Sequence, residues 1–106
     1  MPRFLVMASY TPEGLRGVLK DGGTARKEVV EKLIADLGGT VESFYYAFGE
    51  ADVFVIIDLP DNETAAALSM TIGASGAVSL KTVPLITPQE VDKAAKMSVA
   101  YKPPGK

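Results

Sequence analysis

The chain has 106 residues, of which 47% are hydrophobic and 23% charged, and its formal net charge is -2. This length suits one domain whose folding buries roughly two thirds of the unfolded surface. A near-neutral charge without runs of Lys or Arg argues against a nucleic-acid partner. Cys and His are absent, which excludes disulfides, thiolate nucleophiles and every catalytic pair that needs an imidazole.

The apolar segment near the N-terminus, Phe4 to Ala8, is only as long as a strand and lacks the cleavage site of a signal peptide. No stretch approaches the roughly 20 apolar residues that cross a bilayer. Because no Cys indicates an oxidising compartment, we expect a soluble, cytoplasmic protein without a membrane partner.

The first predicted strand runs from Phe4 to Tyr10, and both of its alternating sets are largely apolar, as in a strand covered on both faces. Thr11-Pro12 supplies an N-cap and an N1 proline for a short turn of helix. After an interruption at Asp21-Gly22-Gly23, Thr24 is predicted to cap a longer amphipathic helix that ends at Gly38-Gly39.

The middle of the chain predicts a β-hairpin followed by a helix. The strands Thr40 to Phe48 and Asp52 to Leu59 flank the turn Gly49-Glu50-Ala51. Strict alternation along the first of them predicts one face with Glu42, Phe44, Tyr46 and Phe48 and the other with Val41, Ser43, Tyr45 and Ala47. An Ala-rich helix from Asn62 to about Ser75 follows, capped within Pro60-Asp61-Asn62.

The last predicted elements are a strand from Ala77 to Ile86 and a short helix. Thr87-Pro88-Gln89-Glu90 combines an N-cap, an N1 proline and the N3 glutamate of a capping box. We assign residues 1–97 to a single domain and residues 98–106 to a polar C-terminal tail that frays.

This order is a split β-α-β unit that occurs twice, with an additional C-terminal helix. It predicts an α+β, ferredoxin-like βαββαβ fold, in which a four-stranded antiparallel sheet carries its helices on one face. The other face then keeps large apolar residues in water, although burying each would be worth about 1.5–3 kcal/mol. We therefore expect a homodimer or higher homo-oligomer that packs sheet to sheet around an apolar cleft.

The hairpin sequence Phe48-Gly49-Glu50-Ala51-Asp52-Val53, followed by Leu59-Pro60-Asp61 and an Ala-rich helix, resembles the GYD domain family of small bacterial proteins. Gly49 and Asp52 match the glycine and aspartate of the family signature, and Ala51 stands where that signature has tyrosine. The similarity covers the chain to about residue 97, and the other matching stretches are Tyr10-Thr11-Pro12-Glu13-Gly14, Leu37-Gly38-Gly39 and Lys81-Thr82. The resemblance implies a ferredoxin-like, dimeric α/β-barrel-type fold and carries no particular activity.

The candidate ligand-binding residues are Tyr10, Tyr46, Glu50 and Asp52. The two carboxylates are two positions apart at a strand end, where they could act as acid, base or cation ligands. Alternatively, Asp52 binds turn backbone and Glu50 is solvated. The two tyrosines could orient a ligand or donate a proton, or they could pack in the core or an interface.

Four cations surround the Gly22-Gly23 interruption, namely Arg16, Lys20, Arg26 and Lys27. A loop with free N–H groups beside cations could hold a phosphate or carboxylate. No nucleotide-binding glycine motif accompanies them, which favours the alternative of a solvated surface.

The residues thus leave three functions open. One is an oligomeric module that binds a small apolar metabolite in a cleft at the sheet face or dimer interface, which the shortage of catalytic residue types favours. Another is a cofactor-free oxygenase or isomerase in which Tyr10 or Tyr46 and Glu50 or Asp52 serve as acid and base. The third is a purely structural or regulatory self-assembling protein. No cofactor and no metal site is expected.

Overall fold

The structure is a computed structural model that describes residues 1–106. Its elements are β1 (Arg3–Tyr10), α1 (Pro12–Asp21), α2 (Gly23–Asp36), β2 (Thr40–Tyr46), β3 (Val53–Asp58), α3 (Asn62–Ala74), β4 (Val78–Leu85) and α4 (Pro88–Ala95). The strands form one antiparallel sheet in the order β2-β3-β1-β4. The predicted α+β, ferredoxin-like fold is therefore confirmed.

The hydrophobic core lies between one face of the sheet and the helices α2 and α3. Alternate residues of β1 and β3 are buried there, and Ile34 of α2 and Leu68 of α3 pack against them. Helix α2 lies along β2 and α3 lies along β4. Because β2 and β4 are the two edges of the sheet, the helices stand above opposite edges and leave space over the central strands.

Strand β2 departs from the predicted strict alternation. The register shifts between Val41 and Ser43, so that Glu42 is the extra residue of a β-bulge. As a result Val41 and Phe44 both pack against the core, and their predicted placement on opposite faces is wrong. The strand also ends at Tyr46, and Phe48, predicted as its last residue, is fully exposed in the hairpin loop.

The first helical region contains two well-formed helices rather than a turn and a helix. Thr11 caps α1 as predicted, and its Oγ1 accepts a hydrogen bond from the Gly14 N–H at 3.2 Å. The predicted cap of α2 at Thr24 is wrong, because Gly22 holds that position with a φ of 87°. This left-handed conformation favours glycine, which joins the two helices sharply but offers no capping side chain.

Two other glycines permit close approaches between elements. A Cβ atom on Gly14 would collide with the carbonyl oxygen of Ala77, and one on Gly39 would collide with that of Asp58. The start of α1 therefore packs directly against the chain that enters β4, and the end of α2 packs against the end of β3. Backbone contact of this kind fixes where both helices lie on the sheet.

The opposite face of the sheet has no helix over it, and we call it the open face. Its partly or largely exposed apolar side chains are Leu5, Met7, Tyr45, Phe54, Ile56 and Val83. At one end, Arg3 forms ion pairs with Asp58 at 2.9 Å and Glu42 at 2.8 Å. The hydrogen bond from Arg3 lowers the pKa of the Asp58 carboxyl below its ordinary value.

Residues 86–106, which we call the C-terminal arm, lie outside the hydrophobic core. All of them are exposed, including the apolar side chains of Val91, Met97, Val99 and Tyr101. The predicted capping box of α4 is confirmed by reciprocal hydrogen bonds between Thr87 and Glu90. The arm extends the chain to a radius of gyration of 16.9 Å, against about 13 Å for a compact chain of this length.

None of the helices combines the length and apolar character that a membrane-spanning helix requires.

Candidate functional site

An apolar cleft of about 350 Å³ lies between the sheet and the two helices α2 and α3. Of its 18 lining residues, 16 are hydrophobic. Its floor comes from β1 and β3, and its walls come from α2 and α3; the main contributors are Val6, Ala8, Val53, Val55, Val29, Leu33, Leu68 and Ile72. The cleft thus occupies the space that opens because the helices cover opposite edges of the sheet.

The cleft opens to solvent beside α2. Val29 and Leu33 line it and are nevertheless 51% and 37% exposed. Small-molecule sites in proteins are concave, mostly apolar and roughly 300–1,000 Å³ in volume, with a few polar groups that orient the ligand. The cleft matches this description in volume, lining and access.

The polar side chains of the cleft are gathered at one end. Tyr10, at the end of β1, pairs with Val78 at the start of β4, and Arg26 comes from the first turn of α2. The third polar lining residue, Ser75, uses its hydroxyl to donate to the Ile72 carbonyl oxygen at 2.6 Å. Tyr10 and Arg26 are therefore the polar groups that a bound molecule could use.

Arg26 is half-buried and has no partner within the chain. The ion pairs of the protein all belong to Arg3, and the Arg26 guanidinium forms no hydrogen bond to another side chain or to backbone. An arginine carries five N–H donors and remains charged at any ordinary pH. The cleft thus presents an unpaired positive charge at the rim of an apolar surface.

Tyr10 contributes a hydroxyl that stays protonated. Burial raises the pKa of the Tyr10 hydroxyl, the nearby Tyr46 hydroxyl raises it further, and the positive charge of Arg26 opposes this shift only in part. The resulting pKa lies above the ordinary value for tyrosine, which is already about 10. At neutral pH Tyr10 is thus a hydrogen-bond donor and not a base.

Tyr46 lies beside the polar end of the cleft and anchors α2. Its hydroxyl donates to the Gly23 carbonyl oxygen at 3.0 Å, and its ring covers the backbone of Gly23. The ring also packs edge-on against Phe44, with centroids 5.2 Å apart. By holding the first residue of α2, Tyr46 helps to set the position of Arg26 one turn later.

Glu50 and Asp52 do not line the cleft. The Asp52 Oδ2 accepts a hydrogen bond from the Tyr10 N–H at 2.8 Å, and the Asp52 N–H donates to the Ala8 carbonyl oxygen at 2.8 Å. The Asp52 carboxylate therefore binds backbone, but the backbone at the end of β1 and not that of its own turn. The side chain of Glu50 is exposed, and only its carbonyl oxygen takes part, accepting from the Ser9 hydroxyl at 3.0 Å.

The structure therefore brings the two candidate tyrosines together at one end of the cleft and leaves the two candidate carboxylates outside it. No group of three or more Asp or Glu side chains lies close enough together to hold a metal ion.

Arg26 lines the cleft, although the sequence favoured a solvated surface over an anion site for the cations around Gly22-Gly23. Its neighbours on the cleft wall, Val29, Val30 and Leu33, follow it at positions three, four and seven. That spacing places all of them on one face of a helix. A charged residue in register with the buried stripe was the signal that distinguished Arg26 from Arg16, Lys20 and Lys27, none of which line the cleft.

Comparison with protein families gives one match, in which the family model described as the GYD domain matches residues 4–95. No curated protein and no solved structure matches the chain. The matched range begins at the second residue of β1 and ends with the last residue of α4, so it contains every helix and all of the sheet except Arg3. It also contains the cleft and each of its lining residues.

Proposed function

The chain belongs to the GYD domain family, and we propose that it binds a small apolar molecule in the cleft between α2 and α3. The observation that carries this proposal is the solvent-accessible apolar cleft of about 350 Å³. Water fills such a volume with about a dozen molecules at about 30 Å³ each, and most of them would face carbon. An apolar ligand returns that water to solvent and gains about 25 cal/mol for each Å² of apolar surface buried.

The volume also bounds the size of the ligand. An engineered apolar cavity of about 150 Å³ binds benzene. The present cleft, at about 350 Å³, has room for a molecule of roughly twice that size. A fused bicyclic ring or a medium-length alkyl chain fits this bound.

Binding is favoured over cofactor-free catalysis by the position of the ionisable groups. The enzyme hypothesis needs a base near the ligand, and Glu50 and Asp52 both lie outside the cleft. Asp52 is also occupied by the Tyr10 N–H. The raised pKa of Tyr10 makes its hydroxyl a poor base at neutral pH.

The test uses N-phenyl-1-naphthylamine, a neutral apolar probe that becomes fluorescent out of water. We expect saturable binding to the wild-type protein and at least about tenfold weaker binding to Ala8→Phe, which places a ring on the floor of the cleft. Met7→Phe is the matched control, because it adds the same ring to the same strand on the open face and should bind the probe normally. Absence of saturable binding, or an unaffected Ala8→Phe variant, would refute the proposal.

We further propose that two copies associate through their open faces. The supporting observation is the exposure of Tyr45 at 72%, Phe54 at 37% and Val83 at 37% on one sheet face. A second copy is the occupant that the charges favour. The cations of this face, Arg3 and Lys81, are balanced by the carboxylates of Glu42 and Asp58, so two copies of it can meet without net repulsion.

Sedimentation equilibrium at micromolar concentration tests this association. We expect the wild-type protein to sediment as a dimer or larger species and Phe54→Lys to shift toward monomer. Phe48→Lys serves as the control, because Phe48 is a fully exposed aromatic residue away from the sheet. A monomeric wild-type protein, or equal effects of the two substitutions, would show that the open face is not the contact.

A further inference from the structure

The unpaired charge of Arg26 has no acidic side chain within reach along its own helix. The positions three and four residues away from Arg26 are Gly22, Gly23, Val29 and Val30, and these are the positions whose side chains could pair with it on a helix. In contrast, Lys27 has Glu31 four residues later. Arg26 is therefore the cation of this helix that has no carboxylate at any of these positions.

Neighbouring elements do not supply a counter-charge either. Asp52, the carboxylate on the hairpin at the same end of the sheet, holds the Tyr10 N–H, and Glu50 lies outside the cleft. A half-buried cation beside an apolar surface loses part of its hydration without gaining a partner, which costs free energy. An anion bound in the cleft would remove this cost.

The arrangement of the cleft restricts the kind of anion. Its polar end combines one guanidinium, from Arg26, with one hydroxyl donor, from Tyr10, and the rest of its lining is apolar. Ile57 of β3 on its floor and Ile34 of α2 on its wall are both fully buried. A planar guanidinium matches a carboxylate with two parallel hydrogen bonds, whereas a phosphate dianion would call for further cations that the cleft does not contain.

We propose that the ligand of this cleft is a small apolar carboxylic acid, whose carboxylate binds Arg26 and Tyr10 and whose apolar body lies between the sheet and the helices. This inference rests on the proposed function, because it names the class of ligand for the same cleft. Arg26 then recognises the acidic group of the ligand, and the apolar lining recognises its apolar part.

Displacement of N-phenyl-1-naphthylamine by three molecules of equal chain length tests the inference. Decanoate, decanol and decylamine share one apolar body and differ in the charge of the head group. We expect decanoate to displace the probe at least about tenfold more tightly than decanol, the ratio that a single charge-assisted hydrogen bond supplies. Decylamine should be the weakest, because its cation meets Arg26.

Two glutamine variants test whether the preference for decanoate over decanol depends on Arg26. Arg26→Gln should bring the decanoate-to-decanol ratio close to one, and Lys27→Gln, which lies outside the cleft, should keep the wild-type ratio. Arg26→Lys keeps the charge without the planar fork and should give an intermediate ratio. Circular dichroism confirms that each variant is folded.

The outcomes separate this inference from the function on which it rests. Equal displacement by decanoate and decanol in the wild-type protein, or a preference that survives Arg26→Gln, overturns the carboxylate assignment but leaves an apolar binding site. If the probe binds but none of the three molecules displaces it, the inference alone fails. If the probe itself does not bind, the proposed function fails together with the inference.

Discussion

Replacing Ala8 by isoleucine is expected to stabilise the folded protein. Ala8 is 7% exposed and forms part of the cleft floor between Val53 of β3 and Leu80 of β4. In a close-packed core, added carbon atoms force neighbouring groups apart and cost about 1–3 kcal/mol. Here the side chain would extend into the cleft, so the added carbon atoms should be buried without displacing their neighbours.

The size of the gain follows from the carbon atoms added. Alanine to isoleucine adds three carbons, and burying each is worth about 0.8 kcal/mol. Ordering the longer side chain costs about 0.5–1 kcal/mol, although β-branching suits a strand. We therefore expect the free energy of unfolding to rise by about 1–2 kcal/mol.

Urea unfolding followed by circular dichroism measures the change. The wild-type protein and Ala8→Ile should unfold with the same slope, and the midpoint of the variant should be higher. Ala8→Ile should also weaken binding of the neutral probe, since it occupies part of the site. A decrease in stability of 1 kcal/mol or more would mean that α2 and α3 close over the sheet and that the cleft reasoning is wrong.

Three other predictions concern the ion pair on the open face, the contact that anchors α2, and the C-terminal arm. The depressed pKa of Asp58 means that its pairing with Arg3 stabilises the fold above about pH 4 and ceases to do so as the pH falls through the carboxyl range. Arg3→Leu should therefore lower the urea midpoint more at pH 6 than at pH 3, and equal losses at both would contradict this pairing. Tyr46→Phe removes the bond to the Gly23 carbonyl and should cost about 0.5–1.5 kcal/mol; it should also reduce the preference for decanoate, and an unchanged preference would mean that Arg26 is held by other contacts. Deleting residues 86–106 should leave the urea midpoint of residues 1–85 nearly unchanged, because the C-terminal arm contributes no residue to the hydrophobic core; a loss of several kcal/mol would contradict this.

The order of the elements could be predicted because its signals are local. The capping box from Thr87 to Glu90 and the turn residues after α2 act within a few positions, and apolar periodicity distinguishes strands from helices. The bulge at Glu42 was missed because strict alternation was assumed, and an extra residue is decided by pairing with β3. The cap at Gly22 was missed because its conformation depends on how α1 and α2 meet.

The candidate site was predicted less completely for a non-local reason. Tyr10 was placed correctly at a strand end, but no sequence pattern gives the separation of α2 and α3 that creates the cleft. That separation arises from packing against opposite sheet edges, including the backbone contacts at Gly14 and Gly39. Arg26 can be assigned to the cleft only when its helix face is known to line this space.

The aspartate of the family signature, Asp52, has a structural role in this chain. Its carboxylate takes the Tyr10 N–H and its own N–H reaches the Ala8 carbonyl oxygen, so it fastens the hairpin to the end of β1. The Asp52 side chain itself does not line the cleft, whose walls come from α2 and α3. A shared signature would accordingly indicate shared architecture, while the ligands of two such proteins could diverge freely through substitutions along α2, where Arg26 lies.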